Sequence, residues 1–235
     1  LAIGAFCIGT DQTDIRAATQ RGVALFNAPY SNTRSVVELA LGEIIMLLRR
    51  IFPANAALHR GEWQKSAAGS YEVRGKVLGI VGYGKIGSQL SVLAEDLGMK
   101  VMFFDIEDRL ALGNAHRCRS LKELLQNADV VSLHIDGRES NREIFGPKEF
   151  RLMKKGASLL NLSRGQVVAI EALHVALTTG HLAGAAIDVF PEEPKSNKDP
   201  FLSPLCGLPN VILTPHIGGS TLEAQRAIAE YTTER

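Results

Sequence analysis

Cysteine is scarce and unpaired in this sequence of 235 residues: Cys7, Cys118 and Cys206 lie far apart, with no C-x-x-C pair. That spacing argues against a disulfide framework and a zinc site, and for a reducing, cytoplasmic compartment. An excess of one charge is missing too. Twenty-six Lys and Arg against 25 Asp and Glu leave a formal charge of +1, which gives no support to a nucleic-acid-binding surface. No apolar run approaches the roughly 18 residues of a spanning helix, so no membrane partner is expected. Internal repeats and low-complexity tracts are absent as well. The chain opens at Leu1 without an initiator methionine and closes at Arg235 inside a run that reads as helix, so the expectation is part of a longer protein. What is there is 46% hydrophobic and 22% charged, enough apolar chain for a sizeable core.

Short β-branched runs alternate with longer amphipathic runs, the pattern of an α/β protein with a parallel sheet. Strands are expected at 24–26, 77–81, 100–104, 130–134, 158–162, 183–189 and 211–214, and helices at 31–50, 85–97, 121–126 and 170–178. In the first helix Val36, Val37, Leu39, Ala40, Ile44, Leu47 and Leu48 recur at helical period and predict one buried face. Ser35 with Glu38 and Ser120 with Glu123 have capping-box spacing, and Ser220 with Glu223 opens a last helix. Residues 60–75 lack periodicity and read as a connection. The proline-rich stretch 191–209 reads as one ordered loop.

The clearest local signal is Gly82-Tyr83-Gly84-Lys85-Ile86-Gly87, directly after the strand 77–81 and opening a helix. A bare G-x-G-x-x-G is weak; between a buried strand and a helix it is informative. Gly82 suits the tight turn, Gly84 lets the backbone approach a pyrophosphate, and Gly87 permits close helix–strand packing. The N–H groups of Lys85 and Ile86 would then point at phosphates, aided by the helix dipole. Asp105 ends the next strand, 18 positions after Gly87, near the spacing for a carboxylate on an adenosine ribose. A carboxylate there repels a 2′-phosphate, so NAD is favoured over NADP. Glu107 and Asp108 reinforce that repulsion, with Arg109 as the only nearby positive charge in the sequence.

Three charged or titratable residues follow later strands, where open α/β sheets place their ligands: Arg164, Glu193 and His216. Each alone also reads blandly, as a surface arginine, a loop carboxylate and a core histidine. Together, beside a nicotinamide site, they suit oxidation of a 2-hydroxy acid. The guanidinium fork clamps a carboxylate. An imidazole takes the hydroxyl proton, and a carboxylate on its other nitrogen sets the tautomer. Asp188, at the end of an otherwise apolar strand, could accept a hydrogen bond from the nicotinamide carboxamide.

At these residues the chain resembles the D-isomer-specific 2-hydroxyacid dehydrogenases, through Asn161-Leu162-Ser163-Arg164-Gly165, Asp188-Val189-Phe190 with Glu193-Pro194, and Thr214-Pro215-His216-Ile217-Gly218-Gly219. The resemblance implies a Rossmann-type doubly wound parallel sheet, inserted into a discontinuous substrate domain. Residues 1–31 would end that domain's first segment, 32–218 would bind NAD, and 219–235 would begin the returning segment. By the same resemblance Arg164 clamps the substrate carboxylate, His216 is the acid/base and Glu193 its partner. Gly82, Gly84, Lys85, Ile86, Gly87, Asp105, Leu162, Ser163, Asp188, Gly218 and Gly219 would serve NAD, and Asn32 the substrate pocket; no metal is implied.

Within the family the chain most resembles the branch that oxidises 3-phospho-D-glycerate at the entry to serine biosynthesis. The pointers are Phe6-Cys7-Ile8-Gly9-Thr10, Phe26-Asn27-Ala28-Pro29, 31–36 and the Gly218–Thr221 turn before Glu223. Lactate, glyoxylate, hydroxypyruvate or 2-oxoglutarate reduction, and an NAD-sensing corepressor-like module, are the other readings. The family layout also implies a homo-oligomer, a dimer or tetramer, toward whose neighbouring subunit Trp63 would project; a local core anchor is the other reading of Trp63. On that layout residues 1–235 alone are expected to bind NAD and turn over substrate poorly. Three features depart from the family pattern: Ile135-Asp136-Gly137 after the strand 130–134, Gln166, and Ala169 after the paired valines Val167 and Val168.

Overall fold

Along the central strands alternate residues face opposite ways, and both sets are apolar. Val131, Leu133, Leu159, Ala185 and Ile187 face one cluster, while Leu78, Ile80, Val130, Leu160 and Ala186 face another. A sheet with two such faces needs helices on both. The computed structural model, which describes residues 1–7, 9 and 13–233, supplies them. Strands β3 (Val77–Val81), β4 (Lys100–Phe104), β5 (His116–Arg117), β6 (Val130–Leu133), β7 (Ser158–Asn161), β8 (Gly184–Ile187) and β9 (Val211–Leu213) form an all-parallel sheet. Its order is β5-β4-β3-β6-β7-β8-β9, the doubly wound order in which the chain reverses direction at β3. Helices α2 (Thr33–Leu48) and α4 (Lys85–Asp96) cover one face; α5 (Leu121–Asn127), α6 (Pro147–Leu152) and α7 (Ile170–Thr178) cover the other.

The remaining elements lie apart from this sheet. Strands β1 (Ala2–Ala5) and β2 (Ala24–Asn27) pair in parallel as a small sheet of their own, with α1 (Ile15–Gln20) between them in the chain. The last helix, α8 (Leu222–Thr233), returns to this end. A Cβ on Gly4 of β1 would sit 3.2 Å from Thr232 Cγ2, and Ser31 Oγ donates to the Ala227 carbonyl at 3.4 Å. Ile8 and Thr10, in the stretch that points to the phosphoglycerate branch, lie outside the described residues, as does Arg235. No described helix is long and apolar enough to cross a membrane.

Each expected strand forms, most of them trimmed by a residue or more at an end. β1, β5, α1 and α6 are short and were not foreseen. The expected helix 31–50 stops at Leu48, and after Arg50, in a left-handed conformation with φ 52°, the chain starts α3 (Ile51–His59). Pro53 falls in the first turn of α3, where a missing N–H costs nothing. The box at Ser35 and Glu38 does not form: Asn32 is the N-cap, Ser35 Oγ pairs with Thr221 Oγ1, and Glu38 pairs with Arg34. Ser120 does cap α5 by accepting the Glu123 N–H, while Glu123 reaches back to the Arg119 N–H. The last helix is capped by Thr221, which accepts from Ala224, rather than by Ser220. Trp63 is 80% exposed, so it is no core anchor.

Candidate active site

The reversal at β3 opens a crevice between the C-terminal ends of β3 and β6, and the glycine motif sits at its mouth. Gly82 has φ 92°, and a Cβ there would run into the His134 carbonyl at the end of β6. Gly87 faces the Gly82 carbonyl, so α4 packs on the turn without a side chain between them. Gly84 is the N-cap of α4 and brings no side-chain cap; a Cβ there would meet nothing within 4 Å. The N–H groups of Lys85 and Ile86, in the first turn of α4, have no intrahelical partner and no side-chain cap, which suits a pyrophosphate. Lys85 itself reaches over the Tyr30 ring, 5.3 Å from its centroid.

Asp105 directly follows β4, beside this turn. Its Oδ2 accepts the Tyr83 N–H at 2.7 Å and its Oδ1 accepts the Glu107 N–H at 2.8 Å. One lone pair on each oxygen stays available for ribose hydroxyls. These features fit a dinucleotide. The charge balance differs from the sequence expectation, because Arg109 is not alone. Arg109 pairs with Glu107 and Arg117 with Asp108, while Arg138, paired foremost with Asp136, feels the charges of Glu107 and Asp105 more weakly. Tyr83, unassigned by the motif, is buried against Phe103 with ring centroids 3.7 Å apart, and its hydroxyl accepts the Leu112 N–H.

A cleft of about 450 Å³ along the ends of β7, β8 and β9 is lined by Asn32, Ile86, Leu162, Ser163, Arg164, Asp188, Glu193, His216, Gly218 and Gly219. The remaining expected residues, Gly82, Gly84, Lys85, Gly87 and Asp105, belong to the glycine-turn end, with Ile86 in the first turn of α4 between the two. Asn161, buried at the end of β7, organises the Arg164 turn. It accepts from the Ser163 N–H and Oγ and donates to the Arg164 carbonyl. Arg164 Nη1 donates to the Ser163 carbonyl at 2.8 Å. Gly165 is obligatory for close approach, since a Cβ would collide with the backbone of Phe190 and Pro191. Two of the departures from the family pattern meet here: Gln166 Nε2 donates to the Gly137 carbonyl at 3.1 Å.

His216 sits in a left-handed conformation, φ 53°, one turn beyond β9. Its Nδ1 is 2.8 Å from Glu193 Oε2, and Glu193 Oε1 accepts the Phe190 N–H. An Nδ1–H donated to Glu193 leaves Nε2 free to accept a proton. Asp188 is 1% exposed and holds the turn that carries His216. Its Oδ1 accepts from Thr214 Oγ1 at 2.6 Å and from the Ile217 N–H at 2.8 Å; its Oδ2 accepts from the Gly218 N–H at 2.8 Å. Asp188 is thus foremost a scaffold for the turn, with one Oδ2 lone pair to spare. Asn32 packs against Gly219, which has no room for a Cβ.

Two titratable residues next to these groups, one buried and one half-buried, escaped the sequence reading. Glu43 of α2 lies behind Asp188, and burial, then the Asp188 charge, push it up to about 8. His134 ends β6 beside Gly82; burial pulls it down to about 4, so it is neutral, bonded through Nε2 to Ser132 Oγ. A polar residue inside an apolar helical stripe was the available signal for Glu43: it falls three after Ala40 and four before Leu47. No described group of His, Cys, Asp and Glu suits a metal ion.

The glycine turn and the carboxylate after β4 fit a dinucleotide domain, and the family comparison agrees. Residues 41–218 match the family described as D-isomer specific 2-hydroxyacid dehydrogenase, NAD binding domain. The chain belongs to that family, whose cofactor is NAD. It is similar to the D-3-phosphoglycerate dehydrogenases of Escherichia coli K12, at 60% identity, and Haemophilus influenzae, at 59%. Each match covers 97% of this chain and 56% of the relative, so the chain spans about half the length of these curated relatives. Among solved structures it is similar to D-lactate dehydrogenase with NAD+ from Lactobacillus jensenii. That match has TM-score 0.89 and 27% identity, over 99% of this chain and 73% of that one.

Proposed function

We propose that this chain carries the NAD-binding domain and the acid/base machinery of an NAD-dependent dehydrogenase that oxidises 3-phospho-D-glycerate to 3-phosphohydroxypyruvate, the entry to serine biosynthesis. The observation that carries the reading is the His216–Glu193 pair at 2.8 Å, in one cleft with Arg164. The choice of substrate is supported by the names of the relatives at 60% and 59% identity.

In this reading Arg164 receives the substrate carboxylate in its guanidinium fork, which orients the hydroxyl-bearing carbon toward the Asp188 end of the cleft. His216 Nε2 takes the hydroxyl proton, and Glu193 favours the imidazolium that results while fixing the ring. Gly84, Lys85 and Ile86 hold the pyrophosphate, and Gly82 and Gly87 allow that turn to form. Asp105 holds the ribose, and Leu162, Ser163, Asp188, Gly218 and Gly219 border the nicotinamide end, beside Asn32 in the substrate pocket. Bound NAD supplies the acceptor for the hydride that leaves the same carbon. Segments 1–31 and 219–235 belong to a second, discontinuous domain around 32–218; the Gly4–Thr232 and Ser31–Ala227 contacts support that division. The protein acts in the cytoplasm as a homo-oligomer.

The test is NADH formation by the full-length protein with a panel of 2-hydroxy acids. The highest kcat/KM is expected for 3-phospho-D-glycerate; a preference for an unphosphorylated acid would refute the substrate assignment. His216→Asn should lower kcat by about a thousandfold, with NAD affinity within about threefold.

A further inference from the structure

Glu43 belongs to α2, which packs against α4, β7 and β8; it is 0% exposed, and neither of its carboxyl oxygens makes a hydrogen bond of ordinary geometry. A carboxylate in such a place is costly unless it is paired or neutral. The packing around this part of α2 is apolar, with Leu160 of β7, Ala186 of β8 and Leu90 of α4 in one cluster. Two polar groups act on Glu43 in opposite senses: the Asp188 carboxylate opposes its ionisation more than the nearby Thr214 hydroxyl, whose proton is given to Asp188, favours it. Asp188 already accepts three hydrogen bonds from Thr214, Ile217 and Gly218. Of the two carboxyls it is the one equipped to carry charge, and Glu43 the one equipped to carry a proton.

We propose that Glu43 is a positioning residue that sets the charge behind the nicotinamide end of the cleft. The Glu43–Asp188 pair holds one proton when the reduced, neutral cofactor is bound and releases it to solvent more readily when the oxidised, cationic cofactor is bound. The inference rests on the proposed function, which puts the nicotinamide ring at the Asp188 end. A second negative charge behind a pyridinium ring attracts it, while a neutral dihydronicotinamide gains little. By linkage, the same preference makes the oxidised cofactor favour loss of the Glu43 proton. Alkaline conditions then favour the oxidised cofactor, the form that oxidation of a hydroxy acid consumes.

The test uses the full-length protein carrying His216→Asn, which removes the imidazole from the comparison; asparagine tolerates the left-handed backbone there. Affinities for NAD+ and NADH are measured by fluorescence titration at about pH 6.5 and about pH 9, with Glu43 and with Glu43→Gln. With Glu43, the ratio Kd(NAD+)/Kd(NADH) should fall about three- to tenfold as pH rises; with Gln it should stay level within about twofold. Calorimetry of NAD+ binding near pH 8 in two buffers should record proton release with Glu43 and none with Gln. Equal pH dependence in the two proteins would overturn the inference. Failure of both nucleotides to bind with Glu43 present would overturn the NAD reading itself. Gln is the neutral isostere of the protonated acid, so a large loss of melting temperature in Glu43→Gln at about pH 6.5 would also refute the inference.

Discussion

His216 holds a backbone conformation that costs a non-glycine residue about 1 kcal/mol or more, and Asp188 offsets it by gripping the turn at Thr214, Ile217 and Gly218. Behind Asp188, Glu43 makes the stability of the protein depend on pH. Its folded value, near 8, lies above the 4.5 of an ordinary glutamate. Between those values the folded state keeps a proton that the unfolded state has lost, so stability is greatest at the acid end and declines as pH rises toward 8, levelling off above it. The contribution to the slope approaches about 1.4 kcal/mol per pH unit. Urea unfolding between pH 5.5 and pH 7.5 should show this decline, and Glu43→Gln should lessen it; an unchanged slope would refute a neutral Glu43. Arg164, Glu193 and His216 could be singled out in the sequence as charged or titratable residues a few positions past apolar strands, and the structure lines one cleft with all three. Glu43 was not legible, because periodicity assigns a position to a buried face without saying what lies across from it. Asp188 was legible as a polar strand end, but its three internal partners come from a turn more than twenty residues away.

The loops that leave β7 and β8 run so close together that Gly165 touches the Phe190–Pro191 backbone. Gly165→Ala should push these two loops apart, moving Arg164 on one relative to Glu193 on the other. The expected cost is about 3 kcal/mol of stability, with loss of activity; a urea midpoint unchanged from the parent would show that the loops yield freely. The main strands and helices could be read from the sequence because their burial is two-sided or striped, which leaves a period of 2 or 3.6 in the apolar residues. Short elements carry too few residues to leave a period, so β5, α1 and α6 stayed hidden. Capping was legible only in part. Ser120 caps α5 through purely local bonds, whereas Ser35 is drawn to Thr221, a partner far along the chain.

Taken whole, the molecule joins its first and last described segments at one end, through β1 and α8, and carries large apolar side chains at the surface of α3 and the connection after it. Ile51, Phe52, Leu58, Trp63 and Tyr71 are large and exposed along that stretch. If it forms the contact between subunits of the proposed homo-oligomer, Phe52→Arg with Trp63→Ala in the full-length protein should shift sedimentation toward smaller species. Melting temperature should move by only a few degrees. An unchanged oligomer would exclude this surface, and a monomeric parent would exclude the oligomer. The family and the order of the main strands and helices were written in local patterns: glycine spacing, short motifs and apolar period. Such patterns persist because a turn, a stripe or a strand end is shaped by residues adjacent in sequence. Tertiary structure alone decided which groups face one another. It closed Gln166 onto Gly137, drew Ser35 to Thr221 and put Glu43 behind Asp188. These are encounters between distant segments, and the folded packing of α2 and the strand-end loops against one sheet brings them within reach.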